Sequence, residues 1–520
     1  MLIPNYKPEI DSLRAIAVFL VILFHFELLH FTGGFIGVDV FFVISGYLIT
    51  NLILIDLQEK KFSLFEFYLR RFRRILPALY LIIILSLIAG YFILSPIHLN
   101  RFGESSTSSV LAVSNFFFWY EDGYFDFNKL FKPLLHTWTL SVELQFYLFW
   151  PIFILFVYKF FKKNIKLIIL LVILFCLIFS IVYSQRATGF FYFTGFRLYE
   201  FAIGSFTYLI KDNLKIKFND IFFFIGISLL ILASLGFNKN SIFPGSNALI
   251  PCLLTSLILL VSGNLKYFKN LFLNRYLIYI GKISYSLYLF HWPLLIFYKY
   301  IVVNPLSFFE KIFLILITIL LSLFSYRFIE LPFRRRKNKK FILSNNKLSV
   351  YFASSFFVIL FVSHLYVSNN GFENRLSVEK KTTLQKLKNE NKETTDLITK
   401  IIEKKATKEV YFKKDKSLIK TLVIGDSLGA NIYSALINNE QFSSNLDIEV
   451  HAAAWALCFR KENSTDKIAT YIKYNFFKFF KSFVFLKSKE ICDNKKKNII
   501  HPHLLKSAEI IILSSMWYDY

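Results

Sequence analysis

Residues 11–25 read DSLRAIAVFLVILFH, an apolar run that carries an arginine, Arg14, and a histidine, His25. Eleven residues separate the two. At 3.6 residues per turn that is about three full turns, so both project from one helix face, roughly 16 Å apart along the axis. Ionisable side chains in a membrane helix are costly and face a functional cavity. The spacing predicts one site read at two depths, with a fixed cation near the entrance and a titratable group near mid-bilayer.

The rest of the chain agrees with a membrane setting. It has 520 residues, 55% of them hydrophobic, and a mean hydropathy of +0.50. That is too apolar for a soluble protein of this length. The net charge of +26 invites a nucleic-acid reading. The positions of the basic residues argue against it. They cluster at the ends of apolar segments, as in residues 59–62, RRFRR at 70–74 and RRRKNKK at 334–340. This is the positive-inside pattern. The first apolar run lacks a small-residue cleavage site and is expected to stay as a helix.

Apolar segments fit for crossing lie near 13–30, 36–57, 76–95, 136–158, 165–184, 191–210, 219–236, 245–263, 281–301, 309–330 and 349–367. A Ser-rich run, 105–120, is weaker. If it does not cross, the basic loops fall on one side, and about eleven spans result. A cytoplasmic N-terminus then places the C-terminal part outside, in the periplasm or on the outer face. The expected fold is a mainly α polytopic bundle followed by a partial α/β domain. The boundaries are 1–340 for the membrane domain, 341–370 for one more transmembrane helix, 371–416 for a linker and 417–520 for the last domain. In that domain TLVIGDSLGANIYSALI reads as strand, tight turn and helix, and two further strand-like runs follow. Cys176 and Cys252 lie in apolar runs as small hydrophobes, while Cys458 and Cys492 are candidates for a disulfide if their domain is extracytoplasmic.

Six blocks carry chemistry. Asp11 stands three residues before Arg14, placed to orient its guanidinium, and Asp39 lies beside a Gly-rich entry to the second helix. Snorkelling accounts for Arg14 alone but poorly for His25, which suits a general base or proton relay. In RRFRR the bland reading is anchoring. The sharper one is a phosphate clamp, because guanidinium forks match phosphate oxygens. HTWTLSVELQFYLFWP holds His136, Trp138, Ser141 and Glu143 near the outer end of a span, with Glu143 either an arginine's structural partner or a working carboxylate. Arg197 and Glu200, at i and i+3, read as an intramembrane ion pair. His291 in SYSLYLFHWP is a helix–helix or ligand contact, and Glu330 reads as structural.

Taken in order, SLRAIAVFLVILFH, GGFIGVDVFFVISGYLIT, RRFRRILP, HTWTLSVELQFYLFWP and SYSLYLFHWP resemble the acyltransferase-3 family of integral membrane acyltransferases over about residues 6–340. The tail around Gly425-Asp426-Ser427 resembles the start of an SGNH-type hydrolase domain. The pairing is similar to bacterial enzymes of the cytoplasmic membrane that O-acetylate cell-surface glycans, lipopolysaccharide O-antigen included.

The resemblance implies transfer of an acyl group, acetyl by preference, from cytoplasmic acyl-CoA to a hydroxyl of an extracytoplasmic glycan, with no metal and no nucleic acid. It implies that His25 is the base or acyl handler and that Glu143 polarises or orients. It also implies that Arg14, Arg71, Arg73 and Arg74 hold CoA phosphates and that Ser427 is the nucleophile of the outer domain. Leu144 departs from the family pattern, which often has a second acidic residue there. No Asp-x-x-His follows Ser427, so the outer domain reads as truncated. A transporter or flippase would also want buried Arg, Glu and His, but it predicts inverted repeats, and none is visible. A non-catalytic scaffold is the third reading.

Overall fold

The computed structural model describes residues 6–121, 132–184 and 191–376, except 215, 239–240, 303, 335, 338–339 and 342, and beyond them 381–382, 385, 419–425, 446–452 and 510–514. It divides into two compact units, residues 1–373 and 374–520.

The first unit is helical. Its helices are α1 (Pro8–His25), α2 (Gly37–Gln58), α3 (Leu64–Ile93), α4 (Pro96–Val110), α5 (Ser114–Glu121), α6 (Thr137–Phe161), α7 (Ile165–Ser184), α8 (Thr194–Ile210), α9 (Asn219–Gly236), α10 (Leu249–Val261), α11 (Lys269–Phe272), α12 (Arg275–Ile301), α13 (Phe308–Phe324), α14 (Leu331–Arg334) and α15 (Asn345–Ser368). A two-stranded antiparallel ribbon, β1 (Arg336–Lys337) and β2 (Lys340–Phe341), precedes α15.

Local sequence sets the ends. Ser63, Ser95 and Ser344 cap α3, α4 and α15 by accepting a backbone N–H, and Ser307 forms a reciprocal capping box with Glu310 on α13. Helix α1 opens on Pro8, with Glu9 and Asp11 in its first turn, where acidic groups favour the helix dipole. It stops at His25, and Glu27, Leu29 and His30 take positive φ angles that no helix continues. The first span is therefore shifted toward the N-terminus of the expected 13–30. His25 is the last residue of its helix and not a mid-helix group.

Each of the eleven apolar segments falls on a helix. Among the described residues six runs are long and apolar enough to cross a membrane by themselves, or seven if α10 and α12, bent by 112°, form one broken span, so the count of eleven is not reached on length and apolarity alone. One of these runs, Thr137–Tyr183, contains both α6 and α7. Trp138 near the start of α6 meets Phe191 and Tyr192, and Phe179 near the end of α7 meets Phe196. The first contact lies just before α8 and the second in its first turn, so α6 and α7 form an antiparallel hairpin. The chain is a multi-pass membrane protein. The segment 105–120 divides between α4 and α5, with Ala112 at positive φ in the break. At 15 and 8 residues, the two helices reach only about 22 and 12 Å, short of a bilayer core of about 30 Å.

Two close backbone approaches organise the core. A Cβ on Gly46 would lie 1.9 Å from the Phe201 carbonyl oxygen, and one on Gly204 would lie 1.9 Å from that of Val43, so α2 and α8 cross in direct backbone contact. A Cβ on Gly281 would lie 1.7 Å from the Asp11 carbonyl oxygen, which brings α12 equally close to α1.

In the second unit, β3 (Ile419–Gly425) pairs in parallel with β4 (Leu446–Ala452) on one side and with β5 (Ile510–Ser514) on the other. These are the three strand-like runs of the sequence. Gly425, Ala452 and Ser514 stand in register at their carboxyl ends. Asp426, Ser427, Cys458, Cys492, His501 and His503 lie outside the described residues.

Candidate active site

Helices α1 and α12 run parallel, since Asp11 meets Gly281 near one end and His25 meets His291 near the other. The candidate site lies along this seam, with its charged groups in two layers.

The layer nearer the N-terminus of α1 is cationic. Asp11 accepts from Tyr6 at 2.8 Å through one oxygen and from Arg14 at 3.2 Å through the other, which fixes the guanidinium. Arg14, Arg71 and Arg74 lie within one another's electrostatic reach. Arg71 is buried, with its guanidinium 5.7 Å from the Phe67 ring centre and 5.9 Å from that of Tyr147. Among the described residues it has no carboxylate partner and no hydrogen bond. A buried cation without a counter-ion marks a place for an anion. Glu330 completes the layer, accepting from Ser286 at 2.5 Å and from Arg334 at 3.4 Å. It ends a π-helical turn, Ser325–Glu330, that links α13 to α14.

Glu143 stands near this layer. One of its oxygens accepts the hydroxyls of both Ser45 and Tyr147, which lie 3.2 Å from each other. Arg14 lies within its electrostatic reach, but no arginine bonds it directly among the described residues.

At the far end of α1, His25 Nδ1 lies 3.0 Å from His291 Nε2, with the rings stacked at 5.1 Å. His291 Nδ1 lies 2.6 Å from the Tyr288 carbonyl oxygen. A carbonyl only accepts, so this nitrogen carries the proton, and in the neutral ring Nε2 is an acceptor. His25 Nδ1 must then donate to it, which leaves the basic lone pair of neutral His25 on Nε2. The Trp292 ring packs edge-on against His25 at 4.7 Å and is itself held by an Nε1 bond of 2.9 Å to the Lys132 carbonyl. His136, fully buried, lies 5.9 Å from His291 and 5.7 Å from Tyr288, measured between ring centres.

Two residues named from the sequence stand apart. Arg197 donates to Asp39 at 2.8 Å and to Glu200 at 2.9 Å in a fully buried triad, so Asp39 joins the α2–α8 crossing and not the α1–α12 seam. Arg73 donates to the Leu343 and Phe333 carbonyls and to Asn345 Oδ1 at 2.8 Å, and it stacks 4.1 Å from the Phe341 ring centre. It ties α3 to the segment that begins α15.

Residues 7–327 match the family model of the acyltransferase-3 domain. The chain belongs to the acyltransferase-3 family. O-acetyltransferase OatA of Staphylococcus aureus, strain MRSA252, is 31% identical over 390 residues, covering 71% of this chain and 64% of that protein. OatA of strain NCTC 8325 / PS 47 matches with the same identity and coverage. The chain thus spans just under two thirds of the length of these curated relatives. No solved structure matches.

Within this family domain the structure brings Asp11, Arg14, Arg71, Arg74 and Glu143 into one neighbourhood and joins His25 to His291. Sequence reading missed Ser45, Tyr147, Tyr288 and Trp292 as neighbours, and it left His136 without a role. Hydroxyl and aromatic side chains are common in apolar helices, and only their long-range placement singles these out. Among the described residues no group of three or more His, Cys, Asp or Glu is arranged to hold a metal.

Proposed function

We propose that this chain is an acetyl-CoA-dependent membrane O-acetyltransferase acting on a hydroxyl of a cell-surface glycan, such as lipopolysaccharide O-antigen or a similar polysaccharide. The observation that carries the reading is the His25–His291 bond, which directs the basic nitrogen of His25 away from its partner at the end of the helix that carries Arg14. Family membership and likeness to proteins named O-acetyltransferase support it.

The two layers suit a donor whose anionic part and reacting carbon are joined by a long flexible arm. CoA is such a molecule, with phosphates at one end of pantetheine and a thioester at the other. Arg14, Arg71 and Arg74 hold the phosphates as forked donors. Arg73 has no part in this clamp. At the other layer, His25 Nε2 takes the proton of the attacking hydroxyl. The hydroxyl oxygen bonds to the thioester carbon, the carbon–sulfur bond breaks, and the leaving thiolate recovers the proton from His25. His291 positions the base. Glu143, held by Ser45 and Tyr147, orients the arm between the layers.

In this reading the N-terminus and the arginine layer face the cytoplasmic side of a bacterial inner membrane, and the C-terminal unit lies outside. Ser427, next but one to Gly425 at the carboxyl end of β3, acts after this step, taking the acyl group from the sugar ester formed at His25 and passing it on along the surface glycan.

The test is glycan O-acetylation, read by mass spectrometry, in a deletion strain complemented with the wild-type chain or with His25→Ala. Acetylation by the wild type alone is the expected result. Acetylation by both removes His25 from the chemistry. With Ser427→Ala, loss of glycan acetylation alongside retained acetyl-CoA hydrolysis places Ser427 on the route, and full retention takes it off.

A further inference from the structure

His136 combines firm placement with polar atoms the fold does not use. It is 3% exposed, and among the described residues neither ring nitrogen has a partner in hydrogen-bond geometry, although the Leu289 carbonyl lies near the ring's polar edge. Among the described residues no other imidazole is buried in this state. Its main chain, by contrast, is fixed. The His136 carbonyl accepts from the Tyr288 hydroxyl at 3.1 Å and from the Thr139 hydroxyl at 3.0 Å, and these two hydroxyls lie 2.6 Å apart. The ring is therefore held mainly through its backbone and its aromatic neighbours.

Leaving buried polar atoms without partners costs about 1–3 kcal/mol each, and a phenyl ring would fill the same space without that cost. His291 cannot supply a partner, because both its nitrogens are engaged by Tyr288 and His25. Nor is the site built for an anion, since no cation faces the ring among its recorded neighbours and the arginines lie in the other layer. A neutral imidazole offers one donor and one acceptor on opposite edges. A group bearing neighbouring hydroxyls, each able to give and take a hydrogen bond, satisfies both.

We infer that His136 is an acceptor-binding residue, whose ring nitrogens take up hydroxyls of the sugar that receives the acyl group, beside the His25–His291 pair. The inference rests on the acyltransferase reading above and adds to it the group that recognises the acceptor.

The test uses the full chain in nanodiscs with acetyl-CoA as donor. The acceptor probe is alkali-de-O-acetylated surface polysaccharide from a strain lacking the chain. Thermal midpoint, acetyl-CoA hydrolysis without polysaccharide, and KM for polysaccharide are measured for wild type, His136→Phe and His136→Gln. For His136→Phe the expected result is a midpoint equal to or above wild type, hydrolysis within about twofold, and a KM raised about tenfold or more, the loss of one to two hydrogen bonds. His136→Gln, which keeps a donor and an acceptor, recovers most of the KM.

An unchanged KM in His136→Phe overturns the inference and leaves the ring as the lining of a structural water site. Hydrolysis that falls in step with transfer also overturns it, because the ring then serves a step common to both. A wild-type chain that neither hydrolyses acetyl-CoA nor acetylates the probe overturns the acyltransferase reading, and this inference with it.

Discussion

His291 is bonded on both sides, to the Tyr288 carbonyl at 2.6 Å and to His25 at 3.0 Å, so one peptide oxygen of α12 decides which nitrogen of a ring on α1 is basic. Such a partner contributes by holding tautomer and direction. Replacing it with alanine removes neither donor contacts nor the base. His291→Ala is expected to lower kcat about 10²–10³-fold, within the range of positioned acid–base catalysis, with KM for acetyl-CoA nearly unchanged. Steady-state kinetics check this, and a kcat near wild type would show that His25 needs no orientation.

The arginine run divides by face. Arg71→Ala removes a buried cation that has no counter-ion among the described residues, so KM for acetyl-CoA should rise about tenfold, one charge-assisted hydrogen bond lost. Arg73→Ala leaves two carbonyls and Asn345 without their donor and should cost about 2–4 kcal/mol of stability with the donor KM unmoved. Thermal unfolding in detergent and donor titration separate the two. Equal effects of both variants on donor KM would contradict the division.

Gly281 sets the distance between the helices that carry His25 and His291. A methyl group there would meet the Asp11 carbonyl at 1.7 Å, so Gly281→Ala forces α1 and α12 apart by more than 1 Å. A displacement of that size at a reacting pair costs on the order of 10²-fold in rate. Gly204→Ala makes a comparable clash, 1.9 Å from the Val43 carbonyl, but between α2 and α8. It should lower stability with a much smaller loss of rate per folded molecule. Rates normalised to folded protein by size-exclusion chromatography test the contrast, which fails if Gly281→Ala matches wild type.

What the sequence could disclose follows separation along the chain. The Asp11–Arg14 and Arg197–Glu200 pairs, each three residues apart, form as the helical repeat predicts. Every expected apolar segment is a helix for the same reason. The division within the arginine run is also local. Arg71 and Arg73, two residues apart, must point to nearly opposite faces, whereas Arg71 and Arg74 share one. The His25–His291 bond and the Asp39–Arg197 bridge join residues 266 and 158 positions apart, and no periodicity within one segment encodes them. His136 opened a block already noted for Glu143, yet its distinguishing property is the lack of partners, which only the packed structure reveals.

The 18-residue span of α1 carries Arg14 in its second turn and His25 at its last position. Inserting or deleting one residue between them would shift His25 by about 1.5 Å and also swing it by about 100° around the helix, off the seam and away from His291. The segment is thus a ruler graduated in whole turns. Its apolar residues can be exchanged for one another without moving either group, whereas a change of one or two residues in its length between those positions parts them.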